Sequence, residues 1–358
     1  MLIELFVPGR SIWNDFSQSG LPGAIRAVSQ IVHLSMQRKH SFFFLPGILW
    51  CSAVVGQAID NTVSFRNIAS DRYFRIFYEN DFFSGTDRDY TQGIYIEKIK
   101  PCIRKFPLVK LLWNPGFAET KYGLAIEHDA YTPNLIYPPE IQYGDRPYAG
   151  ALFLKTFLTV TDDAGLRRIS VILSSGIIGP GAGGEQMQKT IHHWIDYTQP
   201  KGWHNQISND IVLNYQFNYE NELFSASDNL SLSTYGSVRA GTLSDKLTTG
   251  LSLMTGKFSS PYRQISKERS PKIQWYLYGQ SLLNLVGYDA TLQGGLFDRS
   301  SPYTISAASV SRLVFQYRYG LVLMLKRLYL EYYQTGNSNE FDSSIFHHTG
   351  GLQIGFGF

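Results

Sequence analysis

The stretch FYENDFFSGTDRDYTQG, residues 77–93, places Asn80, Asp81, Asp87, Arg88 and Asp89 between two short alternating runs. Amides and carboxylates crowded at a chain reversal have two uses. Asn and Asp favour turns because their side chains bond nearby backbone groups, which would make the cluster a wet hairpin tip. They also offer oxygen ligands to a hard cation and hydrogen bonds to a reacting carbonyl. Thr91 opens the second run, where it can meet Asp81 across the hairpin, although a β-branched residue at a strand start accounts for it as well.

A second candidate lies in GIIGPGAGGEQMQKTIHHWIDYTQPKGWHNQ, residues 176–206. After the Gly-rich turn, Glu185 to Trp194 has helical composition, with Gln188 and His192 at i and i+4 on one face. A histidine presented beside amides and carboxylates suits a general base, since an ordinary imidazole takes up a proton near neutral pH. The alternatives are a zinc ligand and a surface histidine. Zinc would need cysteine partners or an HExxH spacing, and neither occurs. A nucleophilic serine lacks its G-x-S-x-G setting. In a third stretch, HDAYTPNLIYPPEIQYGDRPYAG, the neighbours Asp145 and Arg146 predict an ion pair fixing a loop stiffened by Pro133, Pro138 and Pro139.

The elements that must hold these residues are strands. Twelve segments of about ten residues alternate apolar with polar or small side chains, from YFRIFYEN at residue 73 to GGLQIGFGF at the end, with aromatics near many segment ends. Aromatics make up 15% of the 358 residues and Gly numbers 32, while Lys+Arg 32 against Asp+Glu 29 leaves only +3, too little to suggest a nucleic-acid partner. Residues 36–58 read as a signal peptide: basic Arg38 and Lys39, an apolar core from Phe42 to Val55, and small Gly56 and Ala58 before the cut. That core is short for a membrane span of about 20 residues, so an uncleaved anchor is the lesser reading. Met36 then marks the start, residues 1–35 an upstream over-extension, and residues 59–358 the mature domain. Cys51 leaves with the signal, so Cys102 remains without a disulfide partner. The final strand puts Leu352, Ile354, Phe356 and Phe358 on one face, which resembles the assembly signal of bacterial outer-membrane barrels. The predicted fold is an all-β transmembrane antiparallel barrel of about 12 strands, with short helices in the third outer loop; a secreted β-sandwich is the alternative. An even strand count leaves both termini inside, so the loops after strands 1, 3 and 5, residues 81–89, 131–147 and 179–203, face outward. Alternation along the first two strands predicts Arg75, Glu79, Asp81 and Thr91 toward the lumen and Asn80 toward lipid.

Taken together, END (79–81), DYTQG (89–93), DRPYAG (145–150), GPGAGGEQMQ (179–188) with His192, and PKGWHNQ (200–206) resemble the lipid A 3'-O-deacylases of the Gram-negative outer membrane. That resemblance implies a calcium-dependent esterase acting on the acyl (acyloxyacyl) group of lipid A in lipopolysaccharide, a monomer in the outer membrane. It implies an active site of Asn80, Asp81, Thr91, Gln188 and His192, with His192 activating water and calcium held by Asp81 and Asn80. Two departures stand out: the family's acidic residue six positions after the histidine is Thr198 here, and its second-loop lysine has no counterpart near Leu135 to Pro139. Asp196 or Glu185, and Lys155 or Lys201, are the substitutes at hand. An outer-membrane phospholipase, or a barrel without catalysis such as a small porin or adhesin, are the rival readings. The phospholipase would need a serine beside a histidine, which the late HHTGG (347–351) lacks.

Overall fold

The structure is a computed structural model that describes residues 60–80, 89–116, 119–162, 166–226, 229–262, 272–344 and 347–358. The signal segment, Cys51, Asp81, Asp87 and Arg88 lie outside the described residues. The strands are β1 (Tyr73–Asn80), β2 (Asp89–Ile99), β3 (Glu119–Thr132), β4 (Ala149–Thr161), β5 (Arg167–Ile178), β6 (Asp210–Ala226), β7 (Leu230–Gly241), β8 (Ser244–Lys257), β9 (Ile273–Asp289), β10 (Leu313–Leu325), β11 (Leu328–Asn337) and β12 (His347–Gly357). Each pairs antiparallel with its sequence neighbours, and β1 pairs with β12, closing a twelve-stranded barrel. Every predicted segment is a strand. β6 and β9, at 17 residues each, run past the predicted ten or so because the alternation itself continues, as in β9 with Leu283 and Leu285 outside and Asn284 and Val286 inside.

The sense of the alternation separates a membrane barrel from a sandwich. On β9, Ile273, Trp275, Leu277, Leu283 and Leu285 are exposed while Gln274, Gln280 and Asn284 are buried. A soluble sheet hides its leucines and wets its glutamines; here the apolar row faces outward, as lipid requires. Among the described residues no helix is long and apolar enough to cross a membrane, so the strands do the crossing.

Buried polar side chains in the lumen need partners, and much of that need is met by the segment before β1. Residues Asp60 to Ile68 thread into the end of the barrel where β1 begins and β12 ends. Arg66 bonds Glu331 of β11 at 2.9 Å, and neither side chain has any exposure. Arg75 of β1 donates to the carbonyls of Arg66 and Asn61 and to Glu97 at 2.6 Å. Glu220 of β6 accepts from the Ser64 amide, the Tyr276 hydroxyl donates to the Phe65 carbonyl, and the Phe65 ring stacks on Tyr278 at 4.1 Å. This end of the lumen is therefore a packed, hydrogen-bonded interior.

At the other end, the longer loops tie to one another. Arg146 lies over the Tyr131 ring at 4.3 Å and forms its ion pair across the mouth with Glu340 at 2.8 Å, while also donating to Thr291 in the short helix α2 (Ala290–Gln293). The Asp145 carboxylate accepts from the Asn134 backbone and side chain and from the Arg146 amide. The predicted Asp145–Arg146 ion pair is thus corrected. Neighbouring residues on an extended chain point apart, so Arg146 reaches across the mouth while Asp145 closes its own loop.

Removing one partner of an enclosed ion pair strands the other charge. Arg66→Ala should therefore lower the free energy of unfolding by about 3–5 kcal/mol, and R66M/E331M should recover most of it. Urea unfolding of the detergent-solubilised barrel, followed by tryptophan fluorescence, measures both; an unchanged midpoint in R66A would refute the plug's contribution.

Candidate active site

Register across the first strands sorts the outer wall into rows. The lowest is aliphatic: Ile76 of β1 pairs with Ile96 of β2, Ile96 with Ile126 of β3, and Ile126 with Leu154 of β4. One step outward, Tyr78, Ile94, His128, Leu152, Ile177 and Ile211 share a row across β1 to β6. The next step brings Gln92, Ala130 and Gly150 into line, with Asn80 just beyond the last pair that β1 makes with β2. Each step is two residues, about 7 Å along a strand. The wall therefore turns from aliphatic to polar within two steps.

That turn coincides with a cover. Ile126 is 54% exposed, yet His128, Ala130 and Thr132 on the same face of β3 are 5%, 0% and 0% exposed. What hides them is the long segment between β5 and β6. It leaves β5 with Gly179 still bonded to the Gly150 carbonyl at 2.8 Å and makes one 3-10 turn (Pro180–Ala182). It then passes through Gly183 in the left-handed conformation, φ 78°, into α1 (Gly184–Trp194). Glycine is required at the crossing. A Cβ on Gly150 would stand 3.2 Å from the Gly184 backbone, and one on Gly184 only 2.7 Å from the Trp203 ring. Helix, wall and indole meet with no side chain between them.

The buried stripe of α1 is Gly184, Gln188 and His192, four residues apart. Gln188 has no exposure. Its Oε1 accepts from the Trp203 indole at 2.6 Å, which orients the amide and directs Nε2 to within 3.5 Å of the Thr91 hydroxyl. The Thr91 hydroxyl shares a hydrogen with Thr132 at 2.6 Å, and the Thr91 carbonyl accepts from Asn80 Nδ2 at 2.6 Å. Asn80, Thr91, Gln188 and Trp203 thus form one polar chain from the end of β1 to the cover. His192 sits one turn beyond Gln188 on the same face. Its Nδ1 lies 2.6 Å from the Thr198 carbonyl, and its ring meets Tyr197 edge-on at 5.1 Å. A carbonyl can only accept, so Nδ1 carries the hydrogen and Nε2 holds the basic lone pair in the neutral ring. Tyr148 backs Trp203 at 5.0 Å and donates to the Ile136 carbonyl; burial pushes its hydroxyl pKa up, keeping it a donor.

Thr91 corrects the strand reading. Simple alternation puts it toward the lumen, but the β2–β3 register shifts between Tyr90 and Gln92. The extra residue of this bulge turns the Thr91 hydroxyl to the outer wall, where Thr132 and Gln188 are. Asn80 stands on that same wall, half-buried, where β1 ends. The substitute charges stay apart from the chain. Lys155 faces the lumen and pairs with Glu127, Glu185 pairs with Lys189 at 2.5 Å on the open side of α1, and Asp196 is exposed at φ 52°. Lys201 is exposed, its amide bonded to the Ile136 carbonyl. Among the described residues no group of three or more His, Cys, Asp or Glu converges on one point. Sequence reasoning missed Trp203, Thr132 and His128. The available signal was on β3, where His128 and Thr132 interrupt an outward face that lipid would otherwise keep apolar.

Comparison with known proteins places the chain in a family. A family model described as outer membrane protein LpxR matches residues 43–358. No curated protein matches the chain. Among solved structures, LpxR from Salmonella typhimurium superimposes with a TM-score of 0.65 at 18% identity, covering 80% of this chain and 100% of that one. The β domain of the Bordetella autotransporter BrkA gives 0.42 at 9% identity, covering 81% of this chain and 100% of that one. The closed twelve-stranded antiparallel barrel is the fold shared with the first of these. The chain belongs to the outer membrane protein LpxR family, the family of lipid A 3'-O-deacylases.

Proposed function

We propose that this protein is an outer-membrane esterase that hydrolyses the 3'-O-linked acyl (acyloxyacyl) group of lipid A. The observation that carries this reading is the position of the polar chain. It sits on the outside of the wall, at the end away from the start of β1, directly above an aliphatic belt. An ester whose acyl tail lies along that belt brings its carbonyl to the height of Asn80, Thr91, Gln188 and His192. A pore or structural barrel has no use for polar groups there, and its lumen would not need the plug around Arg66.

In this mechanism His192 Nε2 takes a proton from water while Nδ1–H stays on the Thr198 carbonyl. The water oxygen attacks the ester carbon, and the proton returns to the departing sugar oxygen as the carbon–oxygen bond breaks. Gln188, held by Trp203, turns its Nε2 hydrogens toward the reacting carbonyl beside the Thr91 hydroxyl, as donors for the developing oxyanion. The Thr198 carbonyl, at the position where the resembling family has an acidic residue, fixes the tautomer and tilt of the ring. Calcium would be held by Asp81 and Asn80 with backbone carbonyls and water, oxygen ligands of the kind a hard cation takes. When bound, it supplies polarisation of the ester carbonyl.

His192→Ala should lower kcat roughly 10²- to 10⁴-fold without loss of the barrel. Mass spectrometry of lipid A from cells expressing either form tests the class. Loss of the 3'-linked acyl unit only with wild type supports it, and identical spectra with folded barrel present overturn it. Trp203→Phe should cost about 1–1.5 kcal/mol of transition-state stabilisation, roughly tenfold in kcat/KM, because it releases the Gln188 amide. Chelation of calcium with EGTA, using purified protein in detergent, should abolish turnover, and added calcium should restore it; full activity in the chelator would remove the metal from the proposal.

A further inference from the structure

His128 belongs to a row that is otherwise aromatic or aliphatic, and it has no part in the mechanism above. It is 5% exposed, with Ile94 opposite it on β2 and Leu152 opposite it on β4. Its Nε2 lies 3.1 Å from the carbonyl of Ala182. A carbonyl only accepts, so Nε2 carries the hydrogen, and Nδ1 is left as a buried acceptor with no hydrogen-bond partner. A leucine at this place would pack against its neighbours with no orphaned atom. Half of the imidazole's hydrogen-bonding capacity is spent on one bond, and the other half is lost to burial, which is a cost to stability. Such a side chain points to a task other than stability.

The task follows from what Ala182 is. It closes the 3-10 turn that delivers the chain to α1, and it too is buried. The first bond of the helix runs from the Met187 amide to the Gly183 carbonyl, so the Ala182 carbonyl lies one residue outside the helical ladder. The residues flanking His128 on the wall, Ile94 and Leu152, are hydrocarbon. Without His128 this carbonyl would be sealed against them unpaired. Gly150 and Gly184 bring the backbones together two residues later but, lacking side chains, cannot define an angle.

We propose that His128 is a positioning residue: its Nε2–H clamps the 180–184 turn to the outer wall and so sets the tilt at which α1 holds Gln188 and His192 over Asn80 and Thr91. The catalytic half of this statement rests on the deacylase reading; the mechanical half does not. Both are tested with the full purified barrel in detergent, comparing wild type, His128→Leu and His128→Gln, whose amide can still donate to Ala182. Hydrogen–deuterium exchange of the segment 183–194 should be roughly 5- to 10-fold faster in H128L, the value of one hydrogen bond, and return to the wild-type rate in H128Q. With lipid A as substrate, kcat should fall roughly 10- to 100-fold in H128L with KM unchanged, and H128Q should restore most of it. Wild-type exchange in H128L, or a Gln variant no better than Leu, overturns the clamp. A wild-type protein that exchanges as expected but leaves lipid A intact overturns the deacylase reading while the exchange comparison still decides the clamp. Heat-modifiable migration on gels reports assembly; where H128L does not assemble, H128A, which empties the space rather than refilling it, supplies the same comparison.

Discussion

Everything in this molecule is phased by the seam between β1 and β12, where Tyr73 lies opposite Gly357 and Asn80 opposite Gly350. A sheet closed on itself has no free edge, and its register is fixed all the way round once one pair is set. Because side chains alternate at every residue, the seam decides which face of each strand meets lipid and which meets the lumen. Glu79 therefore faces Thr349 inside, at 2.9 Å, while Asn80, its neighbour, reaches the Thr91 carbonyl outside. The lumen is stabilised by ion pairs that could not survive on the other face, and the outer wall by contacts with hydrocarbon that could not survive inside.

The exception to this division is the outer wall under α1. Polar groups on a lipid-facing surface are costly unless something covers and bonds them. The segment from Gly179 to Gln206 does both: Trp203 fills the space against Ala130 and Tyr148 and also donates to Gln188. Its Gly184, set against Gly150 of β4, allows contact closer than any other residue would. The result is a buried polar patch on the outside of a barrel, bounded on one side by sheet and on the other by a single helix. Low local dielectric strengthens the hydrogen bonds of the Asn80–Thr91–Gln188–Trp203 chain and penalises any member left unpaired.

The barrel was legible in the sequence because period-two alternation is read directly from residue types, and all twelve segments carried it. The helix was legible too, since Gln188 and His192 stand four apart after a Gly-rich turn. What alternation could not show was its own interruption. The bulge at Tyr90 to Gln92 costs one residue of phase, and nothing in TQG announces on which side the hydroxyl of Thr91 emerges. The partnership of Arg146 with Glu340 was equally hidden, because 194 residues separate them and only the closed sheet brings them together. Trp203 was visible as a motif residue but not as a hydrogen-bond donor, for its partner lies on the other side of a loop.

The adjacency of Glu79 and Asn80 has a further consequence. β1 is a tape printed on both sides, with one message for the lumen and one for the bilayer, and the two are read in strict alternation. Substitutions edit one message at a time. An insertion or deletion of a single residue between Tyr73 and Asn80 would instead exchange them, driving Arg75 and Glu79 into lipid and Ile76 and Tyr78 against the plug. Length within this strand is thus under tighter constraint than identity at most of its positions, and insertions and deletions in the barrel belong in the loops after the even-numbered strands, away from the covered wall.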